Sequence, residues 1–93
     1  MFLHLGSNVS VRARDVVAIF DYRLFLPAGA SAAFYEKAQA EGRIESIVPE
    51  GTPKSLVITR QKIYLSAISP TTLLRRTRQA YQYVEDIKKE IGA

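Results

Sequence analysis

Apolar and polar residues alternate in two short runs at the start of the chain, Phe2-Leu3-His4-Leu5 and Val9-Ser10-Val11-Arg12-Ala13, separated by Gly6-Ser7-Asn8. Period-two alternation on either side of a turn-forming tripeptide predicts a β-hairpin. With Val9, Val11 and Ala13 facing a core, the same period sends Ser10, Arg12 and Arg14 outward together. Val16 to Phe20 is apolar throughout, which predicts a central strand covered on both sides. Tyr22 to Gly29 has turn residues, yet it carries Leu24, Phe25 and Leu26 in a row. Such a run either fills the domain's own core or forms an exposed patch of the kind that marks a protein interface. In so short a chain the interface, here an oligomer interface, is the favoured reading.

Ser31 is placed to cap a helix running to about Glu41, with Phe34 and Ala38 on one face and Gly42 as its stop. Ile44 to Val48 predicts a weak edge strand, ended by Pro49 and the turn-rich Glu50-Gly51-Thr52-Pro53. Leu56 to Thr59 and Ile63 to Ile68 predict two strands rich in β-branched residues, joined at a basic tip by Arg60-Gln61-Lys62. Ser69-Pro70 combines a capping hydroxyl with a proline at the first helical position and predicts a helix from about 70 to 91. Its apolar stripe is Leu73, Thr77, Ala80, Val84, Ile87 and Ile91. Arg75, Arg78, Gln79, Gln82, Asp86 and Lys89 fall on the opposite face, and Arg76 borders the stripe. The class expected is α+β, a small mixed or antiparallel sheet with one short internal helix and a longer C-terminal one. Ninety-three residues make one domain, 1–93, with no room for a second.

Charge changes this picture through its distribution more than through its total of +4. Residues 1 to 50 hold five basic and six acidic side chains, near neutrality. From Gly51 to Val84 there is no acid, while Lys54, Arg60, Lys62, Arg75, Arg76 and Arg78 supply six cations. Such a stretch repels itself unless an anion or another subunit's acids lie opposite it; the plain alternative is a solvated basic face. Three arginines near a helix N-terminus also oppose the macrodipole, with no acid three or four residues away to offset them. Together with free backbone N–H groups and the hydroxyls of Ser69, Thr71 and Thr72, these cations form a surface suited to phosphate. Tyr64, Tyr81 and Tyr83 could stack on single-stranded bases, although aromatics at strand and helix spacing more commonly serve a core or an interface.

The absence of cysteine removes disulfides, thiol nucleophiles and thiolate metal sites. His4 has no acidic cluster nearby to make it a ligand or a supported base. No serine triad, Gly-rich phosphate loop or HExxH helix is present, so neither an enzyme nor a bound cofactor or small-molecule substrate is expected. No uncharged run exceeds that of Leu24 to Tyr35, which is shorter than a membrane span and is interrupted by Pro27 and Gly29; no membrane partner is expected. Lacking a signal-peptide pattern at its start, the chain is expected in the cytoplasm.

Met1-Phe2-Leu3-His4-Leu5-Gly6, Arg14-Asp15-Val16-Val17-Ala18-Ile19-Phe20-Asp21, Gly51-Thr52-Pro53-Lys54-Ser55-Leu56-Val57-Ile58-Thr59 and Ile63-Tyr64-Leu65-Ser66-Ala67-Ile68-Ser69-Pro70 occur in an order that resembles the RemA/RemB family of extracellular matrix regulators, the RemB-like branch most closely. The resemblance spans roughly residues 1 to 76. It implies a small bacterial protein, with RemA members binding double-stranded DNA as ring-shaped homo-oligomers and activating biofilm matrix genes. RemA-like members carry two arginines tied to DNA contact directly after the glycine that matches Gly51. This chain has Thr52 and Pro53 there, with Lys54 one residue later. Another such arginine aligns with Asp15, beside Arg14, while Arg76 matches a basic residue of the family's helix. Arg14, Lys54, Arg60, Lys62, Arg75, Arg76 and Arg78 are therefore the expected DNA-contacting set, and Leu24, Phe25 and Leu26 the expected oligomer interface. The alternative is an oligomeric scaffold of the same family that has lost DNA binding.

Overall fold

The computed structural model describes residues 1–25 and 29–79. Strands β1 (Phe2–Gly6) and β2 (Val9–Arg12) form the expected antiparallel hairpin. Ser7 and Asn8 take φ of 48° and 62°, the pair of left-handed conformations that matches a tight turn to strand twist. Ala13 is buried and Val9 and Val11 partly so, while Ser10, Arg12 and Arg14 are exposed, as the alternation predicts. A 3-10 turn at Ala13–Asp15 leads into β3 (Val16–Asp21), followed by α1 (Tyr22–Phe25), α2 (Gly29–Ala40), β4 (Ile44–Ser46), β5 (Ser55–Thr59) and β6 (Ile63–Ser66). A last helix, α3, covers residues 70–79 of the described chain.

The second sheet has the order β3-β5-β6-β4, antiparallel except for the parallel β4–β6 pair, so the fold is mixed α+β. Pleating sends alternate residues of its inner strands to opposite faces, and each face meets a different cover. Leu56, Ile58, Ile63 and Leu65 pack with Phe25, Tyr22, Tyr35 and Ala38 of α1 and α2. Val57, Tyr64, Val16 and Ile19 pack with Leu3, Leu5 and Val11 of the hairpin and Leu73 of α3. Coverage on both faces explains why β5 is apolar at consecutive positions.

Three expectations are revised. β3 is an edge strand and not a central one. A bulge between Val16 and Ala18 interrupts its pairing with β5, and Val17 and Phe20 are exposed. Helix α2 begins at Gly29, which puts Ser31 inside its first turn and not at its cap. Its stop is as expected: Gly42 at φ 69° donates N–H to the Gln39 carbonyl, and Arg43 N–H reaches the Ala38 carbonyl, a double bond pattern that closes a helix C-terminus. Strand β6 ends at Ser66, short of Ile68, because the Ser66 hydroxyl takes the Ile68 N–H and turns the chain toward α3.

At the start of α3, the Ser69 hydroxyl accepts the Thr72 N–H and the Ser69 carbonyl accepts the Leu73 N–H, so the cap is as expected. Leu73 is fully buried, Arg75, Arg78 and Gln79 are exposed, and Arg76 lies between, in agreement with the predicted stripe. The expected continuation to residue 91, with Ala80, Tyr81, Val84 and Ile87, and the tyrosine at position 83, lies outside the described residues. So does Leu26. No described helix is long and apolar enough to cross a membrane.

Candidate nucleic-acid interface

The sheet carries its expected DNA-contacting cations at two opposite ends. Lys54 immediately precedes β5 and Arg60 immediately follows it, which separates them by roughly 20 Å at about 3.3 Å per residue.

At the first end the Lys54 backbone is held from both sides: its N–H donates to the Ser66 carbonyl at 2.9 Å and its carbonyl accepts the Tyr22 N–H at 3.1 Å. Its side chain is exposed. Lys54 lines a shallow cleft of about 480 Å³ with Asp21, Arg23, Thr52, Pro53, Ser69, Pro70 and Thr71. Arg23 was no part of the expected set. Its guanidinium lies 3.4 Å from the Asp21 carboxylate, and that hydrogen bond, with a second from the Arg23 N–H, holds the Asp21 carboxyl below its ordinary range. The signal in sequence is only a Asp-x-Arg spacing, which acquires meaning once α1 folds the two residues back on each other.

The second end gathers Arg14, Arg60 and Lys62. The Arg60 N–H donates to the Asp15 carbonyl at 3.0 Å, fixing the β5–β6 tip beside the 3-10 turn that bears Arg14. Asp15 is buried and engaged by Arg12 at 3.0 Å. Arg14 and Arg60 are exposed and make no ion pair among the described residues. Lys62 differs. Its ammonium sits 3.1 Å from the Glu45 carboxylate, and that hydrogen bond raises its pKa, so its charge is already answered within the protein. The pairing follows from the parallel register that sets Glu45 opposite Tyr64, two residues beyond Lys62 and on the same face, so the long Lys62 side chain meets Glu45 on the diagonal.

Helix α3 presents Arg75 and Arg78 to solvent with no ion pair among the described residues. Arg76 is partly engaged, its Nη1 donating to the His4 carbonyl at 3.1 Å. Among the described residues no cluster of His, Asp and Glu could hold a metal ion. Of the expected oligomer residues, Phe25 belongs to the core, whereas its neighbour Leu24 is 79% exposed. The apolar run therefore divides between packing and surface.

The model of the RemA-like family, described as extracellular matrix regulatory protein A-like, matches residues 2–77. The chain belongs to this family. It is also 38% identical over 84 residues to extracellular matrix regulatory protein B of Bacillus subtilis (strain 168), an alignment covering 88% of this chain and 96% of that protein. The chain is thus a RemB-like extracellular matrix regulator. The family match runs from the first hairpin through most of the described part of α3, so it takes in both cationic ends. In this RemB-like chain Thr52 and Pro53, at the positions where the resemblance puts the RemA arginine pair, form one wall of the Lys54 cleft.

Proposed function

We propose that this RemB-like chain is a homo-oligomeric DNA-binding transcriptional regulator that holds double-stranded DNA mainly through phosphate contacts. The observation that carries this reading is how the ion pairs are distributed. Asp15, Asp21, Glu41 and Glu45 answer Arg12, Arg23, Arg43 and Lys62, while Arg14, Lys54, Arg60, Arg75 and Arg78 make no ion pair among the described residues. Cations spared internal partners are the ones a polyanion can use without first breaking a contact. Lys62 leaves the contact set on this argument, and Arg76 stays in it with part of its donor capacity committed to His4.

A few exposed cations per protomer bind weakly, so several protomers acting on one duplex would supply useful affinity. The protein would work in the cytoplasm, where the DNA is. Fluorescence anisotropy of a labelled duplex at about 50 and about 200 mM salt tests the reading, since binding led by phosphate contacts falls by orders of magnitude over that range. The Arg75→Ala/Arg78→Ala double variant should bind more weakly and with a flatter salt dependence. No binding at the lower salt would favour the second reading, a family scaffold without DNA, for which the exposed Leu24 speaks.

A further inference from the structure

We propose that the Lys54 cleft is a binding site for a small phosphorylated molecule, held by its terminal phosphate. Three separate elements meet there: the β3–α1 junction with Asp21 and Arg23, the turn before β5 with Thr52 and Lys54, and the start of α3 with Ser69 and Thr71. Backbone bonds lock them together. The Lys54 N–H and carbonyl tie the turn to Ser66 and Tyr22, and the buried Ser55 hydroxyl donates to the carbonyl of Ile68, the residue before Ser69. The walls are in place before a ligand arrives, which lowers the ordering cost of binding.

The charges select an anion. Two cations face one carboxylate, and no other charged side chain lines the cleft. Lys54 makes no ion pair among the described residues. Arg23 meets Asp21 through Nε and Nη2 at 3.4 Å, and its side chain is 81% exposed, so part of the guanidinium fork still has donors to give. At the start of α3 the Ser69 hydroxyl is committed, accepting the Thr72 N–H and donating to the Thr72 hydroxyl. Pro70 has no N–H. The helix end therefore contributes only the N–H and hydroxyl of Thr71, and its dipole adds to a site built by cations from two other elements.

Shape selects a small phosphomonoester over a duplex. The cleft holds about 480 Å³, within the roughly 300 to 1,000 Å³ of small-molecule sites, and so has room for an organic body beside the phosphate. The half-buried rings of Pro53 and Pro70 give that body an apolar wall. A phosphomonoester presents three terminal oxygens, one for each element of the cleft, whereas a diester of the DNA backbone presents only two. Lys54 also belongs to the DNA-contacting set proposed above. A bound ligand answers its charge, so occupancy of the cleft competes with one phosphate contact of the duplex.

The test is an NMR titration of the nitrogen-15-labelled full chain, read at the backbone amides. Ribose 5-phosphate is the probe, with ribose as its phosphate-free counterpart and dimethyl phosphate as the diester. Saturable shifts centred on Thr52, Lys54 and Thr71 are expected with ribose 5-phosphate, and none with ribose. Lys54→Ala should weaken binding about tenfold, the worth of one charge-assisted bond. Asp21→Asn removes the carboxylate and releases Arg23, so it should tighten binding several-fold. Lys37→Ala, an equal loss of charge on α2, should leave affinity unchanged. If either cleft variant does not fold, the other decides. Shifts that do not saturate in the millimolar range, or that spread evenly over the cations of both sheet ends, overturn the site. Dimethyl phosphate acting as strongly as ribose 5-phosphate overturns the small-ligand assignment and makes the cleft a contact for the DNA backbone. Duplex anisotropy reads DNA binding separately, so either result can fail without the other.

Discussion

The guanidinium of Arg76 donates to the carbonyl oxygen of His4 at 3.1 Å, tying α3 to β1 across 72 positions of sequence. An arginine read as a DNA contact therefore also holds the fold together. Arg76→Ala should lower stability by about 1 kcal/mol in urea titration, the usual worth of one such bond at a partly exposed site. Arg75→Ala, on an exposed position of the same helix, should leave the urea midpoint almost unchanged while weakening DNA binding.

Ser66 carries a greater structural load. Its hydroxyl donates to the Leu5 carbonyl at 2.7 Å and accepts the Ile68 N–H at 3.0 Å, in a fully buried position. Ser66→Ala leaves a buried acceptor and a buried donor unsatisfied and should cost about 2 kcal/mol. In a thermal melt that is a fall of roughly 10 °C for a domain of this size. Ser7→Ala, which removes one exposed bond to the Ile47 carbonyl, should cost well under half as much.

The two cations of the β5–β6 tip should behave differently toward DNA. Lys62 is paired with Glu45 and Arg60 has no such partner among the described residues. Arg60→Ala should reduce the slope of log affinity against log salt by about 0.9, one phosphate contact, whereas Lys62→Ala should leave it close to the wild-type value. Equal losses for the two variants would show that Lys62 abandons Glu45 for phosphate.

Asp21 gives a prediction in pH. Its carboxyl titrates below the ordinary 3.8 because the Arg23 guanidinium and N–H both donate to it. A depressed folded-state value stabilises the fold above the ordinary carboxylate range, and that contribution disappears as pH falls through the depressed value. Arg23→Ala should return the Asp21 midpoint toward 3.8, read by carbon-detected NMR titration, and should flatten the acid limb of the stability profile between the two midpoints.

The first hairpin, the Gly42 stop and the Ser69-Pro70 helix start were legible because each depends on residues within a few positions of one another. What escaped was set by partners distant in sequence. Five apolar residues from Val16 to Phe20 are as compatible with an edge as with a centre, and only the pairing of β5 with β6 decides it. The exposure of Val17 comes from a bulge, an extra residue that alternation cannot announce. Leu24 and Phe25 are adjacent in a four-residue helix, too short for periodicity to tell the buried one from the exposed one. In the candidate interface, the cations were visible as a composition block, but their division between two ends required the strand directions. The loss of Lys62 to Glu45 required the parallel β4–β6 register. Arg23 became part of the cleft only once α1 had placed it beside Lys54 and the Ser69-Pro70 turn.

The hydrophobic cluster of Leu3, Leu5, Val57 and Leu73 draws on both extremes of the described chain. During synthesis the first hairpin emerges from the ribosome long before β5 and α3 exist to cover it. Its inner face stays incompletely covered until residue 73 joins Val16, Ile19, Val57 and Tyr64 on it, while the other face of the sheet can assemble from residues 20 to 65 alone. The first hairpin is thus among the last described elements to complete its contacts, and a truncation that removes Leu73 should leave part of its inner face without a cover.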